Sequence, residues 1–458
     1  MHPVASYTST RASRAWHATL YVFLVLVFVT GGSSQEHGWT DVAAQLLALP
    51  ILAIALWNVG GLPGSRVRTL GLTAMAAIAL LPWLQLLPLP QGLWNLPSAR
   101  QSLAGDLAAA GVAGVATSWS LTPAATLRGA LSLLPALAIF AGVLSVETTT
   151  QRRLLVLCVA LPLASLILGF LQLGAPQDSL LNPYPAWVPA MGGTFANPNH
   201  QGTAMLIGLG ICLAFAVGAF GARNEATRRP RNPWPAIIVG GTLLLGLPLT
   251  NSRAAVVIGV LMLVAAPLAM AVSRLRRSGQ SRRGVAALLL AAGLAALGLS
   301  AAMGWMKVDE LEEMRWVIRQ ATVALATAHL PWGSGIGSFV PVFQQAFPDA
   351  LLMSSYINAA HNDYAQVWLE GGAGALLAAM LAFVALAAAL KAHWRHDRGD
   401  RRLVWSALLG LFAVMAHAAA DYALRTPALM VVAALLAATL ISQSSGAERT
   451  GAKEIGGR

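Results

Sequence analysis

The sequence predicts an all-α, polytopic integral membrane protein with about twelve transmembrane helices and one large loop outside the membrane. Of its 458 residues, 57% are hydrophobic and 10% are charged, and the mean hydropathy is +0.64. A soluble domain carries roughly a quarter charged residues. The spacing of the apolar windows and the placement of the basic residues support the same fold class.

Twelve apolar windows approach the ~20 residues that a helix needs to cross a bilayer. Two of them are separated by only a few residues and are expected to form a tight hairpin. The windows lie at 17–34, 42–60, 69–88, 126–146, 153–173, 202–221, 234–250 and 254–272 (the hairpin), 285–305, 367–390, 403–420 and 427–443.

The positions of Lys and Arg predict the orientation. The net charge is +12, and 23 of the 30 basic residues fall in alternate segments that share one side of the membrane. Basic residues are retained on the cytoplasmic side, so both termini are predicted to be cytoplasmic. The excess charge then reflects topology rather than nucleic-acid binding. The basic segments are 1–16, 61–69, 147–153, 222–234, 273–284, 391–402 and the C-terminal tail.

This topology divides the chain into five parts. Two are N-terminal and central groups of transmembrane helices, and a third is a long polar loop on the outer side. C-terminal helices and a cytoplasmic polar tail follow. Cys158 and Cys212 fall within predicted spans, which argues against a disulfide framework or a zinc site. The boundaries are 1–125 (including the first outer loop), 126–305, 306–366, 367–443 and 444–458.

The long outer loop has its own predicted structure. An amphipathic helix is expected from Asp309 to Ala328, and Pro331 should end it. The glycines of 333–337 favour a turn, and a second short helix is expected over 338–347. An irregular stretch then leads to His361.

Arginines at the outer ends of helices are candidate ligands for phosphate. Arg253 lies in the turn 250–253, where a guanidinium either reaches lipid headgroups or binds phosphate oxygens in a bidentate manner. Arg315 and Arg319 are four residues apart and share a helix face. They either pair with the preceding acidic residues or offset a diphosphate. Arg128, near the outer start of its span, is a weaker candidate.

Histidines on the outer side are candidates for proton transfer. His361 is followed by Asn362, Asp363 and Tyr364, with Glu370 nine residues on. An imidazole with a pKa near ~6.5 accepts a proton from a hydroxyl near neutral pH, although a lone histidine is often a structural cap.

Two further histidine elements have the same alternatives. His200 follows Asn199 at the start of a span, and His417 and Asp421 are spaced to form a structural pair on one helix face. The sequence contains no phosphate-binding loop, no His-Glu-x-x-His and no Cys-x-x-Cys. It therefore predicts no nucleotide hydrolysis, no metal site and no cofactor.

Five motifs occur in an order that resembles the O-antigen ligase and polymerase family of bacterial envelope proteins. The resemblance covers roughly residues 120–440 and is most specific from 331 to 374. The motifs are Gly193-Thr194-Phe195-Ala196-Asn197-Pro198-Asn199-His200, Asn251-Ser252-Arg253, Arg315 with Pro331-Trp332-Gly333-Ser334-Gly335-Ile336-Gly337-Ser338-Phe339, Ala360-His361-Asn362-Asp363-Tyr364, and Glu370-Gly371-Gly372-Ala373-Gly374.

The resemblance implies a GT-C-like inner-membrane glycosyltransferase with a large periplasmic loop and a glycan donor linked to undecaprenyl diphosphate. His361 matches the general base of the family, and Arg253 and Arg315 match arginines assigned to the diphosphate. Pro198 departs from the family, in which a basic residue is common. The residues expected to bind substrate are Arg319, His200, Asn199, Asn362, Tyr364, Glu370 and Arg128.

The expected function is metal-independent transfer of a glycan to an acceptor hydroxyl at the periplasmic face. O-antigen ligation to lipid A-core in lipopolysaccharide biosynthesis is favoured. Polymerisation of O-antigen or exopolysaccharide repeat units and glycan transfer to a protein hydroxyl are the alternatives. A transporter or flippase is the non-enzymatic alternative, and it predicts ionisable or broken positions near the bilayer midplane in two matching halves. The charges here lie instead at the outer ends.

Overall fold

The computed structural model describes residues 11–34, 38–112, 117–176, 178–184, 191–219, 230–278, 310–346, 357–396 and 399–455. These residues form sixteen α-helices and one small sheet. The helices are α1 Arg11–Thr30, α2 Trp39–Gly60, α3 Arg66–Gln85, α4 Gln91–Trp94, α5 Ser98–Ala109, α6 Pro123–Ser132, α7 Leu134–Leu144, α8 Thr148–Leu173, α9 Pro198–Ala219, α10 Trp234–Gly246, α11 Arg253–Ser278, α12 Glu310–Ala328, α13 Phe339–Ala346, α14 Asp363–His396, α15 Arg401–Ala418 and α16 Pro427–Ile455.

Eight helical segments in the described part of the chain are long and apolar enough to cross a membrane. The predicted hairpin 234–250 and 254–272 corresponds to two shorter apolar helices, Trp234–Thr250 and Arg253–Ala266. The window 403–420 lies on α15, and 285–305 lies outside the described residues. The all-α polytopic class is therefore confirmed, while the number twelve stays a prediction. The eight segments are Ala12–Thr30, Trp39–Gly60, Arg66–Gln85, Pro123–Leu144, Thr148–Leu173, Pro198–Ala219, Asp363–Arg395 and Pro427–Ser445.

Short polar residues start several of these helices. The Asn197 side chain accepts a hydrogen bond from the Asn199 amide at 2.9 Å, with Pro198 as the first helical residue of α9. Both are favoured at a helix N-terminus, since the cap satisfies a free amide and proline has none to satisfy. Asp400 caps α15 in the same way. Pro198 is thus explained by the helix start.

Helices α9 and α16 form the centre of the bundle. Helix α9 packs against α8, α10, α11 and α15, and α16 packs against α1, α7, α14 and α15. Sixteen of the 22 residues of α9 are buried. Helix α16 continues to Ile455, so most of the segment predicted as a polar tail is helical.

Helix α2 lies at the periphery and carries a tryptophan at each end. Trp39 is 88% exposed and Trp57 is 84% exposed. At 1.5 Å per residue these positions are about 27 Å apart along the helix axis. That spacing matches the hydrocarbon core of a bilayer, whose two boundaries are enriched in tryptophan.

The end of the bundle that is predicted to face outward carries a folded cap built from two long loops. The first loop contains α4, α5 and two antiparallel strands, β1 Pro88–Leu89 and β2 Thr117–Ser118. The second contains α12 and α13, which confirms the predicted helices over 309–328 and 338–347. A hydrophobic cluster joins the two helices. Its buried members are Ile318, Ala326, Phe339, Val342, Phe343, Ala360 and Leu369.

Arg100 of α5 fastens the first loop to the second. Its Nη2 donates to the carbonyl oxygens of Trp119 at 2.7 Å and Gly333 at 2.8 Å. Burial lowers the pKa of Arg100 to about 10. The Trp119 indole also donates to the Trp332 carbonyl at 2.7 Å. Arg100 and Trp119 of the first loop therefore both bind the start of the glycine turn, at Gly333 and at the preceding Trp332.

Helix α14 is interrupted where the cap meets the membrane. Gly372 has φ 53° and ψ −143°, a conformation outside the helical region. The freed Ala373 amide donates to the Pro331 carbonyl at 2.8 Å. The first turns of α14 thus belong to the cap, and the remainder crosses the membrane.

Candidate active site

His361 lies between the end of the long loop and the start of α14. Its backbone has φ 48°, a left-handed conformation that is uncommon outside glycine. The Nδ1 atom is 3.0 Å from Asp421 Oδ1, and the His361 side chain is 20% exposed. Because a carboxylate only accepts, Nδ1 is a protonated nitrogen in this contact, and the neutral form of the ring then has its lone pair on Nε2. This is the state that a general base requires.

Asp421 lies in the turn after α15 and is almost completely buried. Burial alone would raise the pKa of Asp421. The hydrogen bond from His361 and electrostatic interactions with the three nearby histidines instead hold the pKa of Asp421 well below its usual range. The Asn197 amide nitrogen is also 3.3 Å from Asp421 Oδ2. Asp421 is therefore held as a carboxylate beside the imidazole.

Tyr422 lies between two of the histidines. The ring centroids of His361 and His200 are 5.0 Å and 4.9 Å from that of Tyr422, both in edge-to-face geometry. Thr426 Oγ1 donates to the Ala423 carbonyl and lies 3.0 Å from His200 Nδ1, so His200 Nδ1 is the donor in that contact. His200 Nε2 has no hydrogen-bond partner among the described residues.

The predicted pair of His417 and Asp421 does not form. Their backbones are joined, since the Asp421 amide donates to the His417 carbonyl at 2.9 Å, but the Asp421 carboxylate contacts His361 instead. The ring nitrogens of His417 contact Thr203 Oγ1 at 2.5 Å and Ser252 Oγ at 3.3 Å. His417 therefore connects α9 with the start of α11.

Two of the predicted phosphate-binding arginines lie on helices next to this cluster. Arg253 is the first residue of α11 and directly follows Ser252, which contacts His417. Arg315 lies on α12, and its charge acts to lower the pKa of Tyr422, which burial raises. Arg319 is one turn further along α12 and half-buried, and its Nε has no partner among the described residues.

Two of the predicted substrate-binding residues join the start of α14 to the end of α15. The Asn362 side-chain amide donates to the Ala419 carbonyl at 2.9 Å, and the Tyr364 hydroxyl donates to the Met415 carbonyl at 2.8 Å. The Asn199 carbonyl accepts from Thr203 Oγ1 at 3.1 Å within α9. The first two contacts set the spacing of α14 and α15 beside His361.

Two other predicted substrate-binding residues lie elsewhere. Glu370 is fully buried on α14, and its Oε2 is 2.8 Å from Nη1 of Arg425. Arg128 is exposed on α6, a helix that packs against α3 and supports the glycine turn. Neither position adjoins the His361 ring in the contacts of the described residues.

Sequence reasoning missed the partner of His361 and also missed Arg425. The sequence did contain a signal for the arginine, because only seven Lys or Arg lie outside the inner segments. A basic residue at that depth is costly to bury and marks a functional region. The seven are Arg100, Arg128, Arg253, Lys307, Arg315, Arg319 and Arg425.

Comparison with known proteins finds a match to part of the chain. The sequence model of the O-antigen ligase family matches residues 238–380. The matched range includes Arg253, Arg315 and His361, whereas Asp421 and Tyr422 follow it. No curated protein matches the chain.

Eight long apolar helical segments among the described residues indicate a multi-pass membrane protein, and residues 238–380 of it match the O-antigen ligase family. The resemblance drawn from the sequence motifs is thereby confirmed.

Proposed function

We propose that the protein transfers a glycan from undecaprenyl diphosphate to an acceptor hydroxyl at the periplasmic face of the bacterial inner membrane. The contact of 3.0 Å between His361 Nδ1 and Asp421 Oδ1 carries this proposal. It joins a buried carboxylate to a partly exposed imidazole, the arrangement by which an orienting acid fixes the tautomer of a general base.

His361 Nε2 takes the proton from the acceptor hydroxyl. The acceptor oxygen forms a bond to the anomeric carbon of the donor sugar, and the bond from that carbon to the diphosphate oxygen breaks. The electron pair leaves with undecaprenyl diphosphate. Asp421 stabilises the imidazolium that results, because its carboxylate remains ionised.

Arg253 and Arg315 are proposed to bind the departing diphosphate. Two guanidinium groups offset developing negative charge most effectively in a site that excludes water. Two observations support this: Arg253 directly follows Ser252, which contacts His417, and the charge of Arg315 acts on the pKa of Tyr422. Arg319 and His200 are proposed to contact the sugar or diphosphate beyond them. The reaction is proposed to be metal-independent, since the arginines supply the positive charge.

The remaining predicted substrate-binding residues have supporting contacts instead. Asn362 and Tyr364 join α14 to α15 at the site, and Asn199 accepts a hydrogen bond within α9. Glu370 binds Arg425, and Arg128 is exposed on α6. We therefore propose a structural role for Asn199, Asn362, Tyr364 and Glu370.

The experiment incubates purified protein with a defined glycan linked to undecaprenyl diphosphate. Lipid A-core, a second lipid-linked glycan and a hydroxyl-bearing peptide are offered separately, and mass spectrometry identifies the product. The expected result is ligation to lipid A-core. A product with the second glycan or the peptide would replace the ligase assignment by a polymerase or a protein glycosyltransferase.

His361→Ala is the matched variant for this assay. Loss of a general base slows turnover by ~10²–10⁴-fold. Wild-type turnover by this variant would overturn the assignment of the base. Movement of the donor across proteoliposomes without bond formation would overturn the transferase itself.

A further inference from the structure

Arg425 lies at the junction of the two segments that carry the proposed proton-transfer pair. It ends the short 3-10 helix Ala423–Arg425, which follows Asp421. Its Nη1 is 2.8 Å from Glu370 Oε2, and its Nε is 3.7 Å from Asp363 Oδ1. Both carboxylates belong to α14, the helix that begins directly after His361 and Asn362.

The backbone reinforces the same junction. The Leu424 amide donates to Asp363 Oδ2 at 2.8 Å, and the Asp363 amide donates to the Asp421 carbonyl at 3.3 Å. Asp363 is two residues after His361. One carboxylate therefore holds both the start of α14 and the turn that carries Asp421.

The buried carboxylates at this junction need Arg425 as their counterion. Asp363 is 3% exposed and Glu370 is 0% exposed. Burial alone would lower the pKa of Arg425, but the charges of Glu370 and Asp363 outweigh it and raise that pKa. A buried carboxylate without a counterion is unfavourable. Loss of Arg425 would leave Asp363 and Glu370 buried without a counterion. This would favour separation of the start of α14 from the turn that carries Asp421.

We propose that Arg425 is a positioning residue that holds the His361 imidazole against the Asp421 carboxylate. The inference rests on the proposed role of His361 as the general base. Arg425 touches neither ring nor substrate. It acts through Asp363 and Glu370, which fix the first turns of α14 relative to the Asp421 turn.

A purely structural role makes a different prediction. It would reduce the amount of folded protein but leave kcat per folded molecule unchanged. A positioning role reduces kcat in the folded fraction and leaves donor binding intact, since Arg253 and Arg315 lie on α11 and α12.

The experiment compares Arg425→Met, Arg425→Lys and a matched control, Arg402→Met. Arg402 also pairs with a carboxylate, 3.2 Å from Asp400 Oδ2, but at the opposite end of the bundle. Misplacement of a catalytic group by about 1 Å costs ~10²-fold. We expect kcat to fall by ~10–10²-fold in Arg425→Met with KM for the lipid-linked donor unchanged. Arg425→Lys should recover part of the loss, and Arg402→Met should keep wild-type kcat.

A second measurement does not depend on turnover. Diethyl pyrocarbonate modifies accessible imidazoles, and peptide mass spectrometry at one fixed pH gives the rate at His361. We expect faster modification of His361 in Arg425→Met than in the wild type or in Arg402→Met. The rate at His329, a buried residue of the cap, should stay constant and serves as the internal reference.

The outcomes separate this inference from the proposed function. Unchanged kcat per folded molecule, or an unchanged rate of modification at His361, would overturn the positioning role. If the wild type transfers no glycan, the proposed function fails while the modification rates still test the junction. If Arg425→Met does not fold, Glu370→Gln weakens the same junction and must show the same direction in both readouts.

Discussion

Both ends of the bundle pair carboxylates with arginines, but the number of arginines per carboxylate differs between them. At the inner end, Asp400 faces two arginines, with Oδ2 2.6 Å from Arg152 Nη2 and 3.2 Å from Arg402 Nη2. At the outer end, three carboxylates are at most 3% exposed, and one arginine, Arg425, contacts two of them. The third carboxylate is Asp421, whose partners are a histidine and an asparagine.

The difference shows what each end is adapted to do. A partly exposed carboxylate that pairs with two arginines joins helices at little cost in free energy. A buried carboxylate balanced by imidazoles is costly, and its charge state is coupled to theirs. Such groups concentrate at functional sites. These balances support the proposal that the end with Asp421 carries the chemistry, whereas Asp400 joins α8 to α15 at the opposite end.

Asp421→Asn should have the largest effect. Asparagine can present its amide nitrogen or oxygen to His361, but it does not stabilise the imidazolium that forms during proton transfer. We expect kcat to fall by ~10²–10⁴-fold, which corresponds to about 3–5 kcal/mol. This decrease in kcat is measured as the turnover of the purified variant with a lipid-linked glycan. A loss of kcat below tenfold would contradict the proposal that the end with Asp421 carries the chemistry.

Arg315→Ala should have the next largest effect. Hydrogen bonds to charged groups contribute ~1.5–3 kcal/mol, so kcat/KM should fall by roughly 10–10²-fold. Arg319→Ala is the matched variant, four residues further along the same helix. An equal or greater loss in Arg319→Ala would reassign the diphosphate contact to that residue.

Gly333→Ala tests how the cap holds the outer end. Gly333 has φ 74°, and an added Cβ would lie 2.6 Å from the Gly372 nitrogen and 2.7 Å from the Glu370 carbonyl oxygen. Strain of this kind costs ~1–3 kcal/mol. We expect a lower melting temperature in detergent.

Gly105→Ala is the control for that substitution. It lies in α5 with nothing within 4 Å of an added Cβ. The substitution should stabilise the protein slightly, because alanine favours a helix over glycine by ~0.5–1 kcal/mol. Equal losses at Gly333 and Gly105 would contradict the role of the glycine turn.

Asp400→Asn should have the smallest effect, about 1 kcal/mol on stability with kcat unchanged. Burial alone would raise the pKa of Asp400, but contacts with Arg402 and Arg152 lower it overall. Its contribution is then fully present above the ~3.9 of an unfolded aspartate and is lost as the pH falls through the lower folded value. Melting curves from pH 6 to pH 3 should show the wild type losing its advantage over the variant. A constant difference would contradict the ion pair.

Local signals in the sequence were sufficient for most of the secondary structure. Prolines, glycines and periodic apolar residues predicted α12, α13 and the glycine turn to within a residue or two. The first outer loop was harder. Its short helices and two-residue strands depend on contacts with Gly333 and Trp332, which are more than two hundred residues away.

The site was predictable in its residues but not in its pairings. His361, Arg253 and Arg315 follow from motifs, whereas Asp421 reaches His361 across sixty residues that include a membrane helix. The four-residue rule pointed to His417 instead, because the sequence does not fix where α15 ends. Glu370 looked available for substrate, although its partner Arg425 is 55 residues further along the chain.

The break at Gly372 has a consequence for proteolysis. The Ala373 amide donates a hydrogen bond to the Pro331 carbonyl, and the Gly335 amide donates to the Glu370 carbonyl. The segment 331–337 is therefore hydrogen-bonded along its length to the first turns of α14. Cleavage requires a stretch of backbone to detach and extend within the protease. An enzyme added from the outer side should therefore spare this segment, even though it lies beyond the lipid.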